Sequence, residues 1–384
     1  MGATSSRYII SGIGGSLLVF ALTTFFASDE NGPSVSGIFN LGNTCFLNSL
    51  LQGLSSCKTF FDFLAKVSVR LKSKDPNDVI VRELKAFLRF LKEGKETLRP
   101  NALVNSLSQR FPHFGQQHDS HEIFYVIQES ISEVNKRPLR SLKIPDLNGM
   151  EKEENLKNPF HGLMSTEVTC SVCGHKSFTL ESMFDISVTI TPSLEESFKI
   201  LSTEEIIDDF QCQRCSIEAS LEILKDKRHF PSEIFWKKVE TLRKSLERRI
   251  SVDDAEIVIF RKQRASLCHK IARFPDILCI HCKWLVQGPL GYIQKSTAQM
   301  KFDLNLEIDW LMQKKLCLNP SQNTVKYELR AVIEHLGGSL GGHYLTYRLN
   351  SGVWYLCSDV DVREVFEDEV LRAQPYMLFY ERVK

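Results

Sequence analysis

The sequence has almost no excess of charge of either sign. Its 384 residues contain 48 lysines and arginines against 47 aspartates and glutamates, a formal net charge of +1. Nucleic acid is bound through surplus basic side chains that neutralise phosphates, so nothing in the composition favours a nucleic-acid partner. The sequence also has no low-complexity segment or internal repeat, and its length suits one large globular domain or two to three ordinary ones.

A disulfide framework is poorly supported as well, because the 11 cysteines are odd in number and scattered as singles and pairs. Secreted domains that depend on disulfides carry an even set of cysteines. The pattern instead indicates a reducing compartment in which cysteines bind a metal or act as nucleophiles.

The N-terminus contains a long uncharged run, residues 8–27, YIISGIGGSLLVFALTTFFA. Twenty helical residues span about 30 Å, the thickness of a bilayer core. We therefore predict a transmembrane anchor between an N-terminal tail (1–7) and a linker (28–36), with a cleaved signal peptide and a buried helix as alternatives. Arg7 alone would direct the following domain across the membrane, whereas the free-thiol chemistry of that domain favours the cytosol.

The chain is organised around residues 37–52, GIFNLGNTCFLNSLLQ, in which glycines and asparagines precede a single cysteine, Cys45. Leucines follow with helical spacing, so the pattern predicts a buried helix that begins at or near Cys45. Free backbone N–H groups and the helix dipole at such a position stabilise a thiolate, which lowers the pKa of the thiol. A buried structural cysteine is the alternative.

Two further helices are predicted at residues 81–92 and 119–133, each with apolar residues on one face. Asp119 and Ser120 suit the N-cap of the second helix, and Glu122 lies at capping-box distance from Asp119. Capping accounts fully for these polar residues, but a cluster this dense is also compatible with the lining of a cleft.

Two C-x-x-C pairs predict a metal site, and their members are Cys170 with Cys173 and Cys212 with Cys215. Two such knuckles bring four thiolates into a tetrahedron without an open position, which suits a structural Zn²⁺ ion. Residues 184–191, between the pairs, alternate in hydrophobicity and predict a strand.

Two other features have ordinary structural explanations. A third C-x-x-C pair, Cys279 and Cys282, lies in a run that alternates like a half-buried strand and has no turn, so we interpret both as strand or core residues. Residues 232–249 predict an amphipathic helix, which we interpret as a solvated face over a small apolar stripe rather than a partner surface.

The last seventy residues predict strands at 327–335, 343–348 and 353–360. His343 opens the second of these, directly after the glycine-rich run 337–342, whose glycines allow the backbone to approach a ligand closely. A lone histidine is more often structural. Here it begins a strand beside a loop, a suitable place for the base that a cysteine nucleophile needs.

Four motifs in this order resemble those of the ubiquitin-specific protease family. They are the stretch around Cys45, the run QHDSHE at 117–122, the two C-x-x-C pairs, and GGHY at 341–344 with W-x-x-x-S-D from Trp354. The resemblance implies an α+β, papain-like cysteine-protease fold over residues 37–384, preceded by the transmembrane helix. It also implies a thumb at about 37–158, zinc-bearing fingers at about 159–272 and a palm at about 273–384.

The resemblance further implies that ubiquitin is the partner and that its C-terminal glycine is the point of cleavage. Cys45 would attack the glycine carbonyl, and His343 would take the thiol proton and later protonate the leaving lysine amine. Asn40, five residues before the cysteine, would stabilise the oxyanion together with a backbone N–H.

The third catalytic position departs from the Asp or Asn that is usual in the family. That position is Ser358, and Asp359 follows it. Strand alternation places Trp354 and Ser358 on one face and Asp359 on the other, so Ser358 is predicted to face His343. We therefore expect Ser358→Ala to lower turnover more than Asp359→Ala.

In having both this serine and an N-terminal anchor, the sequence resembles a mitochondrial outer-membrane member of the family. That resemblance implies a deubiquitinase that faces the cytosol, removes ubiquitin from mitochondrial surface proteins and opposes mitophagy. The alternative function is a catalytically weak ubiquitin-binding scaffold, although neither the cysteine nor the histidine is lost. An unrelated Cys-His transferase would leave the cysteine pairs unexplained.

Overall fold

The computed structural model describes residues 35–72, 75–94, 96–111, 118–137, 156–226, 233–248, 258–287, 293–296, 298–309, 313–314, 317, 320–321, 323–338 and 341–383. The predicted transmembrane anchor, residues 8–27, and the N-terminal tail lie outside this set. Within the described residues, no helix is both long enough and apolar enough to cross a membrane.

Five α-helices come first in the described chain. They are α1 (Cys45–Ser56), α2 (Lys58–Val67), α3 (Pro76–Glu93), α4 (Asn101–Ser108) and α5 (Ser120–Asn135). The predicted helix start at Cys45 is confirmed. α3 begins earlier than predicted, because the Asp75 side chain caps it by accepting from Asn77 N and because Pro76 suits the first helical position.

The strands, in chain order, are β1 (Gly162–Cys170), β2 (Lys176–Met183), β3 (Ile186–Thr189), β4 (Glu205–Gln211), β5 (Lys262–Arg273), β6 (Ile277–Lys283), β7 (Leu285–Gln287), β8 (Ile293–Lys295), β9 (Asn305–Ile308), β10 (Val325–Gly338), β11 (Gly341–Asn350), β12 (Val353–Ser358), β13 (Asp361–Val365) and β14 (Pro375–Arg382). An eight-stranded sheet has the order β13-β12-β11-β10-β14-β6-β3, with β9 paired to β10. A four-stranded sheet has the order β2-β1-β5-β4, and β7 pairs with β8. β3 pairs parallel with β6, although its residues fall in the range predicted for the fingers.

The remaining described helices are α6 (Leu194–Leu201), α7 (Gln213–Asp226), α8 (Glu233–Arg248) and α9 (Glu367–Val370). The helix predicted at 232–249 is confirmed as α8. α7 was not expected, because it begins inside the second cysteine pair, where the sequence indicated a metal knuckle. Apolar side chains of α7 and α8 form a small core of their own, made of Ile217, Leu224, Val239 and Leu242.

Helix α1 lies between the other N-terminal helices and the eight-stranded sheet. Every residue from Cys45 to Ser55 is buried. Thr346 Oγ1, on β11, donates to Ser49 O at 2.8 Å, and Arg348 Nη1 donates to Gln52 Oε1 at 2.8 Å. These two bonds fix α1 to the strand that carries His343.

Strand β6 carries the third C-x-x-C pair. Cys279 and Cys282 have 0% exposure, so their interpretation as strand and core residues is confirmed. The prediction that this strand is half-buried is wrong, because β6 lies between β14 and β3 and its residues from Ile277 to Ile280 are all buried.

Candidate active site

The Asn40 side chain builds the turn that precedes α1. Its Oδ1 accepts hydrogen bonds from the backbone N–H groups of Gly42 and Thr44, each at 3.0 Å. Gly42 and Asn43 adopt left-handed conformations, with φ of 96° and 57°. Glycine and asparagine adopt this conformation at the lowest cost, so the chain reverses tightly and Cys45 becomes the first residue of α1.

Cys45 is buried, with 4% of its surface exposed. Burial raises the pKa of its thiol above the ordinary value, hydrogen bonds from the backbone at Tyr344, Phe46 and Cys45 lower it by less, and the charge of Asp359 adds to the rise. The predicted lowering of this pKa is therefore wrong for the protein without substrate, because desolvation of the thiolate outweighs the helix N-terminus. The bond from Tyr344 also places the sulfur beside the residue that follows His343.

His343 lies near the start of β11 and is half-buried. Its Nε2 is 2.8 Å from Ser358 Oγ. β11 and β12 pair antiparallel, with Thr346 opposite Cys357, and this register brings the start of one strand to the end of the other. The ring of His343 therefore contacts Ser358, and the backbone of its neighbour Tyr344 contacts Cys45.

Asp359 contacts the segment around α1 rather than the histidine. Its Oδ2 accepts from Asn40 Nδ2 at 2.9 Å and its Oδ1 accepts from Asn48 Nδ2 at 2.7 Å. Asp359 follows the end of β12 and has a φ of 52°, so strand alternation does not apply to it. Asn48 was missed by the sequence analysis. The signal was available, because a polar amide stands one turn after Cys45 in a helix predicted to be buried.

Gly342 precedes His343 where β10 and β11 meet. A Cβ atom there would lie 2.1 Å from Leu336 O and 2.5 Å from His335 Nε2, too close for either contact. The glycine run was expected to allow close approach to a ligand. At this position the close approach is to strand β10 of the same chain.

The polar residues at the start of α5 serve both of the predicted purposes, helix capping and the lining of a cleft. Asp119 Oδ1 accepts from His121 N at 2.8 Å, which caps the helix, and from the hydroxyl of Tyr376 on β14 at 2.5 Å. Glu122 is exposed and lines an open cavity of about 910 Å³ between α5 and the four-stranded sheet. Capping thus accounts for Asp119, whereas Glu122 faces a cleft.

The two cysteine pairs converge as a metal site requires. Cys170 Sγ is 3.9 Å from Cys215 Sγ, and Cys173 Sγ is 3.5 Å from Cys212 Sγ. All four sulfur atoms lie within 4.8 Å of one another. A tetrahedral Zn²⁺ with Zn–S bonds of about 2.3 Å requires sulfur atoms about 3.8 Å apart, so the four side chains fit this ion.

Comparison with known proteins identifies relatives over almost the whole described chain. Residues 36–380 match the family model "Ubiquitin carboxyl-terminal hydrolase". Ubiquitin carboxyl-terminal hydrolase 30 of Danio rerio is 25% identical over 431 residues, covering 91% of this chain and 86% of the relative. The Homo sapiens protein of the same name is 23% identical over 467 residues, covering 91% and 84%. Ubiquitin carboxyl-terminal hydrolase 3 of Homo sapiens is 27% identical over 391 residues, covering 90% and 67%.

Solved structures show the same fold. The DUB module of SAGA bound to ubiquitin aldehyde contains a chain that matches with a TM-score of 0.65 and 19% identity, covering 93% of this chain and 71% of that one. A SAGA DUB module bound to monoubiquitin matches with a TM-score of 0.64 and 20% identity, covering 91% and 70%. The expected α+β, papain-like fold is confirmed for the described residues.

Proposed function

The chain belongs to the ubiquitin carboxyl-terminal hydrolase family of cysteine-protease deubiquitinases, and from this premise we propose that Cys45, His343, Ser358 and Asn40 form its catalytic site. The observation that carries the proposal is the chain of contacts from the Cys45 sulfur to the Tyr344 backbone and from the adjacent His343 ring to Ser358 Oγ at 2.8 Å. A nucleophile, a base and a group that orients the base then lie side by side.

The substrate of this site is the isopeptide bond after the C-terminal glycine of ubiquitin. The Nε2–H group of His343 donates a hydrogen bond to Ser358 Oγ. In this tautomer Nδ1 carries no proton and can take the thiol proton of Cys45. The thiolate attacks the glycine carbonyl, the C–N bond breaks, and the imidazolium returns the proton to the departing lysine amine. Water then hydrolyses the thioester and releases the ubiquitin carboxylate.

Ser358 is a positioning residue in this scheme. Its hydroxyl orients the imidazole of His343 but carries no charge that would stabilise the imidazolium. The thiol of Cys45 has a raised pKa in the free protein. The proton is therefore expected to move from Cys45 to His343 when the substrate arrives, and the free protein is not expected to hold a thiolate–imidazolium pair.

Asn40 supplies the oxyanion site with the backbone N–H at the start of α1. Among the described residues, Asn40 Nδ2 has one acceptor, Asp359 Oδ2 at 2.9 Å, so its second N–H remains for the oxygen of the tetrahedral intermediate. Asp359 also accepts from Asn48 Nδ2 at 2.7 Å, and it holds the Asn40 amide in place. Asp359 is thus a positioning residue for Asn40.

The subdomains are assigned to the observed elements by the same reasoning. Helices α1 to α5 form the thumb, the four-stranded sheet with the cysteine cluster forms the fingers, and the eight-stranded sheet forms the palm. The globular body of ubiquitin lies against the fingers and palm, and its tail passes between thumb and palm to Cys45. Cys170, Cys173, Cys212 and Cys215 would hold a Zn²⁺ ion, which would cross-link the fingers and take no part in the reaction.

We further propose that residues 8–27 anchor the enzyme in the mitochondrial outer membrane with its catalytic domain in the cytosol, where it removes ubiquitin from membrane proteins and opposes mitophagy. The uncharged sequence of the run supports the anchor, and the resemblance to a mitochondrial outer-membrane member of the family supports the location. Deleting residues 1–30 should release an active enzyme from membranes. A truncated protein that remains bound to membranes would contradict the anchor.

The catalytic proposal is tested with a ubiquitin derivative that carries an electrophile at its C-terminus. The wild-type protein should form a covalent adduct on Cys45, whereas Cys45→Ala should bind ubiquitin without forming one. If the wild-type protein binds ubiquitin but neither forms the adduct nor releases a fluorogenic group from ubiquitin, the scaffold function replaces the enzyme.

A further inference from the structure

A compact polar cluster lies outside the proposed catalytic residues, where α5, β3 and β6 meet. The imidazole rings of His121 on α5 and His281 on β6 stack, with centroids 3.8 Å apart and planes 14° from parallel. Asp185 Oδ2 lies 3.1 Å from His121 Nε2. Ser187 Oγ bridges Asp185 Oδ2 at 3.2 Å and His281 Nδ1 at 3.0 Å. We call these four residues the junction cluster.

The cluster is partly to fully buried. The Asp185 side chain is 3% exposed and that of His121 is 17% exposed. Although burial raises the pKa of Asp185, its bond to His121 and the charge of that ring hold the pKa below the ordinary value. Burial and the charge of His121 lower the pKa of His281 to about 4, so this ring stacks as the neutral form. The cluster therefore contains the carboxylate of Asp185 and a neutral imidazole at His281, both in contact with the ring of His121.

The same residue types can bind metal ions, but this arrangement is better suited to joining elements. One ligand atom from each of His121, Asp185 and His281 lies within 4.8 Å of the other two, but the two rings are stacked face to face, with planes 14° from parallel. The Asp185 oxygens already accept from Ser187 and from the Tyr125 hydroxyl. The bond from Tyr125 joins α5 to Asp185, which lies between β2 and β3, and the bond between Ser187 and His281 joins β3 to β6.

The cluster also connects to the catalytic strand. The ring of Tyr376, on β14, packs edge-on against His281 at 5.1 Å and against Tyr344 at 5.5 Å. The Tyr376 hydroxyl donates to Asp119, the cap of α5. Tyr344 in turn bonds to the Cys45 sulfur through its backbone. A displacement of the start of α5 would therefore change the cleft between α5 and the strand that carries His343.

We propose that the junction cluster is a positioning device that holds the start of α5 against β3 and β6 and so sets the cleft through which ubiquitin reaches Cys45. This inference rests on the proposed function. It assigns to His281 and Asp185 a role in admitting ubiquitin and leaves the chemical step to Cys45, His343 and Ser358. Loss of the cluster should therefore raise KM and leave kcat nearly unchanged, since none of these three side chains is altered.

The test compares His281→Ala with His281→Phe in the full chain, by steady-state cleavage of a fluorogenic ubiquitin derivative. Alanine removes the stacked ring, so we expect KM to rise about tenfold with kcat within about twofold of wild type. Phenylalanine retains a ring to stack on His121 and should restore most of the wild-type KM. Phe90→Ala is the control, because it also removes an aromatic ring, but one that is 52% exposed on α3, and it should leave KM unchanged.

An unchanged KM in His281→Ala, or a loss confined to kcat, would overturn the positioning role. If His281→Ala does not fold, the KM and kcat of Asp185→Asn are compared with those of wild type instead. This variant keeps the side-chain shape and removes the charge that faces His121. Failure of the wild-type protein to cleave ubiquitin would overturn the proposed function itself. The two failures are therefore distinguishable.

Discussion

Asp359 and Ser358 are adjacent, and their alanine variants should have different effects on catalysis. Asp359 accepts two hydrogen bonds, from Asn40 at 2.9 Å and from Asn48 at 2.7 Å. A hydrogen bond to a charged group contributes about 1.5–3 kcal/mol. Only the Asn40 bond bears on the oxyanion, so Asp359→Ala should cost about 2 kcal/mol in the transition state, or about thirtyfold in kcat/KM.

Ser358→Ala removes a single bond from His343 Nε2 to an uncharged hydroxyl, Ser358 Oγ at 2.8 Å. Such a bond contributes about 1 kcal/mol, which corresponds to about a fivefold loss. The order of the two variants is therefore the reverse of the order expected from strand alternation. The reason is that Asp359 holds the oxyanion residue, a contact that joins positions 319 residues apart.

The assay is the initial rate of cleavage of a fluorogenic ubiquitin derivative, measured as kcat/KM for both variants. Asp361→Ala is the control, because Asp361 is an exposed aspartate two residues further on and should behave as wild type. Asp359→Asn should be intermediate, since its amide oxygen can still accept from one of the two asparagines. Melting temperatures would separate loss of folding from loss of catalysis. If folded Asp359→Ala stays within threefold of wild type while Ser358→Ala loses more, the assignment of Asp359 to Asn40 is refuted.

Three further predictions follow from individual contacts. Burial raises the pKa of Cys45, so alkylation of the free protein by a small electrophile should have its pH midpoint above that of an ordinary thiol; a midpoint near neutral pH would contradict the raised value. Gly342→Ala should lower thermal stability and activity together, because its Cβ would meet Leu336 O at 2.1 Å; Gly338→Ala is the control, since a Cβ there meets nothing within 4 Å. Cys173→Ser should reduce bound zinc from about one ion per chain and lower the melting temperature, as metal analysis and calorimetry would show, and unaltered zinc content would exclude Cys173 as a ligand.

Several features of this protein were predictable from local sequence alone. The leucine spacing after Cys45 fixed the start of a buried helix, because an apolar face with helical periodicity has to be buried. The spacing of the two cysteine pairs indicated a metal site, and the described sulfur atoms converge as four zinc ligands must. The motifs around Cys45 and His343 identified the family, which the family match confirmed.

Other features depended on long-range packing. The pKa of Cys45 rises because the tertiary fold desolvates its thiol, a contribution that the position at a helix N-terminus does not reveal. β6 is buried because β3 pairs with it from a distant part of the chain. α7 begins inside the second cysteine pair, and its Ile217 packs in one cluster with Val239 and Leu242 of α8.

The partners of Asp359 and of the junction cluster were decided by tertiary structure for the same reason. Asp359 leaves the strand in a left-handed conformation, so a side chain that alternation would place on the far face turns towards Asn40. His121 and His281 lie 160 residues apart and are stacked only because α5 packs on β6. Sequence specifies the residue types and the local turns that a site needs. Which side chains then share a buried hydrogen bond depends on how distant elements pack together.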